Sequence, residues 1–475
     1  MPFNRTTFFH LLLDQFPFSP TNSQERLLQL LSDFIFSKKE DKLFLLKGYA
    51  GTGKTTTIAT LINNLWHLKL KFVLLAPTGR AAKVIGNYAN KKAFTIHKKI
   101  YFPKKNSSGA VMFTLKPNKH TNTLFIVDEA SMIPDASNQT KIFESRSLLE
   151  DLIQYVYSGK NCKLILIGDT AQLPPVKLHL SPALDASKLN FNYQKDVVET
   201  ELDEVMRQHQ DSGILTNATE LREIISNYYD GISFKFQAQY PDIIRLIDGY
   251  DIENAINECY QNFGIEDTTI IVRSNKRANQ YNQQIRSKIR NEDNQIASGD
   301  YIMVVKNNYY WLKESDETDF IANGDICQIK QINGFKEIYG FNFAEVTVKM
   351  IDYPNQPAFD TVVMLDTLTQ ETPSLTYEDS SKLYQNISED YADLPKYKQF
   401  LEVKNNPFFN ALQIKFAYAV TCHKAQGGQW KNVIVEQPYL KEGMDLAYYR
   451  WLYTAITRAQ KKLYLIGFKD DLFYD

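Results

Sequence analysis

Residues Gly48 to Thr57 read "GYAGTGKTTT". The stretch satisfies G-x-x-x-x-G-K-[ST], follows the apolar run "LFLLKG" (Leu43–Gly48) and opens a helix. Strand, glycine-rich loop and helix in that order are the context of a phosphate-binding loop. Gly48, Gly51 and Gly53 let backbone N–H groups wrap an anion, with Thr52 and Thr56 in the same cradle. Lys54 would reach the β- and γ-phosphates of ATP, and Thr55 would ligate Mg²⁺.

Outward from the loop, short apolar runs end in turn residues: "FVLLAP" (Phe72–Pro77), "LFIVDE" (Leu124–Glu129) and "KLILIGD" (Lys163–Asp169). Helical stretches separate them, so the expected class is α/β with a parallel sheet covered on both faces. A second series, "TTIIVRSN" (Thr268–Asn275), "AYAVTCHKAQ" (Ala417–Gln426), "NVIVEQ" (Asn432–Gln437) and "KLYLIGF" (Lys462–Phe468), predicts a second α/β domain. Two regions break the alternation. Ile100–Asn122 reads as a hairpin with a polar Asn-Ser-Ser-Gly tip, and Gly299 to about Asn410 reads as an inserted small β-barrel whose part Thr369–Tyr397 is acidic and irregular.

Composition sets wide bounds. A chain of 475 residues exceeds the roughly 250–300 that one core supports, so at least two domains are expected. Hydrophobic usage of 44% is ordinary for globular chains. A net charge of −1 excludes a uniformly basic coat but leaves room for a local basic groove. Cys162, Cys259, Cys327 and Cys422 form no CxxC pair, which speaks against zinc and against a disulfide framework. No apolar run approaches the roughly 18–20 residues of a membrane span, and "MPFNRTTFFHLLLDQ" reads as a helix rather than a signal peptide. A cytoplasmic chain is the expectation.

Further groups belong with the loop. Asp128 and Glu129 end a buried strand, where one carboxylate would hold Mg²⁺ and the next orient the attacking water. Gln172, in "LIGDTAQLPPV", lies beyond another strand, where it would sense the γ-phosphate or position water. Thr21 and Gln24 fit a T-x-x-Q capping box; Gln24 either caps a helix or reads the adenine edge. "APTGRAAK" follows a strand and starts a helix, so backbone N–H groups and Thr78 would hold a phosphate, while Arg80 and Lys83 either help or face solvent.

In order, "PTNSQ", "GYAGTGKTT", "APTGRAAK", "TIHK", "IVDEAS", "GDTAQLPPV", "VMRQ", "TCHKAQG" and "YTAITRA" resemble the Q motif and motifs I, Ia, Ib, II, III, IV, V and VI of superfamily 1 helicases. The closest resemblance is to the RecD-like group of subfamily 1B, including the small phage Dda type, and it covers nearly the whole chain. It implies two RecA-like domains with the nucleotide between them. Arg458 and Arg207 are then the arginine fingers, and Gly427 belongs to the nucleotide site. The resemblance gives Pro77, Thr78, Gly79, Arg80, Thr95, His97, Thr421, His423 and Lys424 to the nucleic-acid track. By position the hairpin is the duplex-splitting pin, on which Tyr101, Phe102 and Phe113 either stack on a base pair or pack on their own domain. The barrel corresponds to an SH3-like domain. The implied partition is a first RecA-like domain over 1–205 with the hairpin at about 98–122, a second over 206–298 and 411–475, and the SH3-like insert over 299–410.

The resemblance thus implies an ATP-dependent DNA helicase moving 5′ to 3′ on single-stranded DNA and at junctions with duplex, expected to act as a monomer. A translocase that remodels complexes or acts on RNA without unwinding shares every ATPase residue. A kinase or nucleotide switch leaves motifs V and VI unexplained.

Overall fold

Three sheet systems carry the chain. The computed structural model describes residues 4–105, 111–134, 147–204, 212–229, 231–312, 320–441 and 443–474, without the side chains of 103–105 and 111–113. The first system comprises β1 (Lys42–Gly48), β2 (Lys71–Ala76), β3 (Ala93–Thr95), the separate hairpin β4 (Tyr101–Lys105) and β5 (Val111–Leu115), then β6 (Thr121–Val127), β7 (Lys160–Gly168) and β8 (Asp196–Leu202). The hairpin apart, these form one sheet in the order β3-β2-β6-β7-β1-β8, every neighbour parallel. Apolar side chains fill both its faces, as a parallel sheet between helix layers requires. The N-terminal helices Arg5–Asp14 and Asn22–Phe36 cover one face, burying Phe8, Leu12, Leu28 and Phe34. Lys163 of β7 ties the second of these helices down, donating to the carbonyls of Phe34, Ile35 and Ser37. That meets the unpaired carbonyls every helix leaves at its C-terminus.

The second system is β9 (Ile243–Leu246) and β10 (Thr268–Val272), followed after the barrel by β16 (Ala419–Thr421), β17 (Trp430–Glu436) and β18 (Ala459–Ile466). Its order is β16-β10-β17-β18-β9, again all parallel. The third is a closed barrel of β11 (Tyr301–Val304), β12 (Ile326–Ile338), β13 (Phe341–Met350), β14 (Phe359–Met364) and β15 (Leu412–Phe416). Two RecA-like domains and a barrel of the SH3-like kind are the architecture the motifs implied.

Two expectations need correction. The barrel does not end at Asn410: β15 closes it, pairing Ile302 with Phe416 and Val363 with Leu412. The acidic segment is not irregular either. It folds into helices Tyr377–Glu389 and Lys396–Asn405, and Leu383, Ile387 and Val403 pack with Phe343 and Met364 of the barrel. Leu383 and Ile387 stand four residues apart on one helical face, a pattern hidden among the surrounding acids.

Where the chain enters the barrel, Asp300 is fully buried and accepts from Arg286 Nε (3.1 Å to Oδ2) and from the Tyr418 hydroxyl (2.8 Å). Arg286 lies over the ring of Phe416. This network ties the barrel's first and last strands to the second sheet domain.

Candidate nucleotide cleft and nucleic-acid groove

All the loop chemistry gathers at the carboxyl ends of the first sheet's strands, where open α/β sheets place their ligands. The loop leaves β1, and helix Lys54–Asn64 begins at Gly53, whose φ of 84° suits glycine alone among common residues. A Cβ at Gly51 (φ 75°) would also strike Leu215 at 2.9 Å. Gly53, Lys54, Thr55 and Thr56 line a cleft of about 400 Å³. Lys54 Nζ bonds the carbonyls of Gly48 and Tyr49 at 2.6 and 2.7 Å, poised across the loop. Gly48 and Thr52 shape the loop from within rather than face the cleft: both are buried, and Thr52 Oγ1 bonds Tyr49 O.

Asp128 and Glu129 follow β6 into the same cleft. Glu129 holds a left-handed backbone (φ 54°), a strain of the kind that collects at functional sites. Burial first, then the neighbouring Glu129, push Asp128 up to about 6. Two half-buried carboxylates beside a phosphate loop suit a divalent cation, with Thr55 as the second donor. Gln172 is buried on the same wall, and its Oε1 has no hydrogen-bond partner among the described residues.

The far wall comes from the second sheet domain. Arg458, buried to 4% exposure, sits where helix Leu446–Ile456 meets β18. Its Nη1 lies 3.6 Å from Glu129 Oε1, while Nε bonds Thr454 O at 3.1 Å. Gly427 also lines the cleft; at φ 72° it lies so near the other domain that a Cβ would meet Ala81 Cβ at 2.7 Å. The segment after β7 is gripped across the domain boundary: Leu173 N–H donates to Thr454 Oγ1 (2.8 Å), and Gln426 Nε2 donates to Leu173 O (2.7 Å).

On another face a groove of about 380 Å³ runs between both sheet domains and the barrel. Pro77, Thr78, Thr95 and His97 line one side, His423, Lys424 and Gln426 another, and Asn307, Asn323 and Gly324 of the barrel a third. Thr78 and Thr95 each cap a helix, accepting from Ala81 N and Lys98 N. Burial lowers His97 to about 4, so its ring is neutral at pH 7. Lys424 donates to Asn323 Oδ1, and burial lowers it to about 8.

The first-domain region matches the family model "AAA domain" over residues 30–225, and residues 416–466 match "UvrD-like helicase C-terminal domain". The chain is 34% identical to the ATP-dependent RecD2 DNA helicase of Deinococcus radiodurans over 32% of its length, a stretch covering 20% of that protein. It is 26% identical to the ATP-dependent DNA helicase dda of Enterobacteria phage T4 over 60% of each chain. Together the two family models and these relatives support a superfamily 1B helicase. Its enzyme class is accordingly that of the ATP-dependent DNA helicases. The Pif1 helicase of Candida albicans, at 15% identity and a TM-score of 0.45 over 95% of both chains, is too distant to add weight.

The helicase departs from the sequence reading at particular residues. Gln24 does not face the cleft. It is fully buried behind the loop, with Oε1 accepting from Thr21 N and Nε2 donating to Thr52 O (both 3.0 Å), so the cap wins over an adenine reader. Tyr101 is no wedge: its side chain is buried and its hydroxyl donates to Asp151 Oδ2 at 2.7 Å. Phe102 stays half-buried, while the side chain of Phe113, the hairpin tip at 106–110 and Arg207 lie outside the described residues. Arg80 touches the groove's edge, but its guanidinium stacks on Trp430 of the second domain, 3.9 Å from the ring centroid. Gly79 is buried against Asp325 and Tyr353 of the barrel, and Thr421 ends β16 outside the groove lining.

Asn307 and Asn323 were missed. For Asn323 a hairpin turn explained "ANGDICQI" fully, and nothing local placed it, or Asn307 in "VVKNNYYW", in a groove.

Proposed function

We propose that this helicase couples ATP hydrolysis to 5′-to-3′ translocation along single-stranded DNA and to separation of the duplex ahead of it. The observation that carries the reading is the shared cleft: Lys54, Asp128 and Glu129 come from one domain, and Arg458 from the other lines it too, 3.6 Å from Glu129. Lys54 would leave the loop carbonyls for the phosphates. Thr55 and Asp128 would hold a divalent cation, which when bound offsets phosphate charge. Glu129 and Gln172 would orient the attacking water, and Arg458 would stabilise charge developing on the transferred phosphoryl group. Because Arg458 rides on a separate domain, its attachment and release convert nucleotide state into domain motion.

The groove is the proposed path of the strand, with contacts to backbone and stacked bases and little sequence preference. Direction follows from the subfamily. Single-stranded DNA and its junctions with duplex are the partners, the active unit is a monomer, and the four buried free cysteines suit the reducing cytoplasm.

Steady-state ATP hydrolysis measured alone and with single-stranded DNA, single-stranded RNA and duplex tests the reading. Strong stimulation by single-stranded DNA supports a DNA motor; unwinding of partial duplexes bearing a 5′ tail, and not a 3′ tail, supports the direction. No stimulation by any nucleic acid ends the motor proposal. Lys54→Ala is expected to retain DNA binding while kcat falls on the order of 10²-fold or more.

A further inference from the structure

One buried contact joins the phosphate loop directly to the helix that leads to Arg458. The hydroxyl of Tyr453, on helix Leu446–Ile456, accepts from the N–H of Ala50 in the loop at 2.9 Å and donates to Asp169 Oδ2 at 2.7 Å. Asp169 Oδ1 in turn accepts from Ala171 N at 2.9 Å. Tyr453 and Asp169 are each 1% exposed, so neither bond competes with water. Two turns of the same helix add contacts to the segment after β7: Arg450 Nη1 donates to Thr170 O at 3.1 Å, beside the bond from Leu173 N–H to Thr454.

From this geometry we propose that Tyr453 is a positioning residue for hydrolysis: its hydroxyl latches the second domain onto the phosphate loop and Asp169, and so sets Arg458 in the cleft. The ring alone would fill the space. The hydroxyl is needed because it pairs a loop donor and one oxygen of a buried carboxylate at once. Both bonds share one hydroxyl, so closure at the loop makes them together and opening breaks them together. Arg458 follows rigidly, its Nε held by Thr454 O, one residue on from Tyr453. The inference rests on the motor reading for its role in a cycle, but not for its effect on hydrolysis.

Tyr453→Phe removes the hydroxyl and keeps the ring. Expected are a fall in kcat of roughly ten-fold or more, both basal and with saturating single-stranded DNA, a KM for ATP within about two-fold of the parent, and a melting midpoint lowered by no more than a few degrees. A purely structural tyrosine would lower melting and the active fraction without that split between kcat and KM. Parent-like kcat in Tyr453→Phe overturns the proposal. Asp169→Asn removes the acceptor's charge with little change of shape and reports on the same bond should Tyr453→Phe fold poorly; parent-like kcat there overturns the proposal equally. In the double variant the losses are expected not to multiply, and fully multiplicative losses overturn it too. Whether the parent is stimulated by single-stranded DNA is a separate measurement, so the latch and the motor reading can fail independently.

Discussion

Asp325 shows how a single side chain acquires properties its sequence neighbours do not suggest. It belongs to the turn "ANGD", a plain hairpin signal, yet it is fully buried against Gly79 of the other domain. Its Oδ2 accepts from Ala322 N at 2.7 Å, and Oδ1 has no hydrogen-bond partner among the described residues. Burial, reinforced by Asp352 and opposed by the Ala322 bond and Lys98, pushes it up to about 8. An unfolded aspartate titrates at about 3.9, so the folded state holds this proton more tightly. Its contribution to stability is then complete below about pH 4 and is lost as pH rises through about 8. Asp325→Asn is expected to raise the melting midpoint by a few degrees at pH 8.5 and to change little at pH 5. Equal effects at both pH values, in melting curves followed by circular dichroism, would refute a buried carboxyl that keeps its proton.

Among the elements, the β4–β5 hairpin separates two roles that its aromatic sequence blurs. Tyr101 anchors the hairpin's base to helix Leu148–Tyr157 through Asp151, while the half-buried Phe102 comes next along the strand, where alternation turns it to the opposite face. Tyr101→Phe leaves a buried carboxylate short of a donor and is expected to cost about 1–3 kcal/mol of stability without altering unwinding per hydrolysed ATP. Phe102→Ala is expected to be nearly neutral in denaturant melts but to reduce that ratio. The reverse pattern, measured by coupled unwinding and phosphate release, would reassign the pin.

Across the whole molecule, closure depends on places where one domain's backbone meets the other without room to spare. Gly427 is the tightest such place in the nucleotide cleft. Alanine there meets both a left-handed backbone, about 1–2 kcal/mol against an L-residue, and Ala81 across the boundary. Gly427→Ala is therefore expected to lower hydrolysis stimulated by single-stranded DNA well below the parent, with each domain still folded in a two-transition melt. Parent-like stimulation would mean the two domains need not approach this closely to work.

The sequence alone determined the phosphate loop, the carboxylates after β6 and the principal strands of both sheets, because each is a local pattern: a spacing, an apolar run, a turn. Of the residues that the resemblance gave to the strand, Pro77, Thr78, Thr95, His97, His423 and Lys424 share one groove. Weak patterns escaped the sequence reading, such as the four-residue β9 and the helices of the acidic insert. Tertiary structure decided which way side chains point and what they meet. Gln24 turned behind the loop, Tyr101 went into the core, and Arg80 went onto Trp430. The barrel's Asn323 reached the groove, and Arg458 reached Glu129. Periodicity tells whether a side chain is buried, whereas its partner is set by the packing of domains whose contacts join residues hundreds of positions apart.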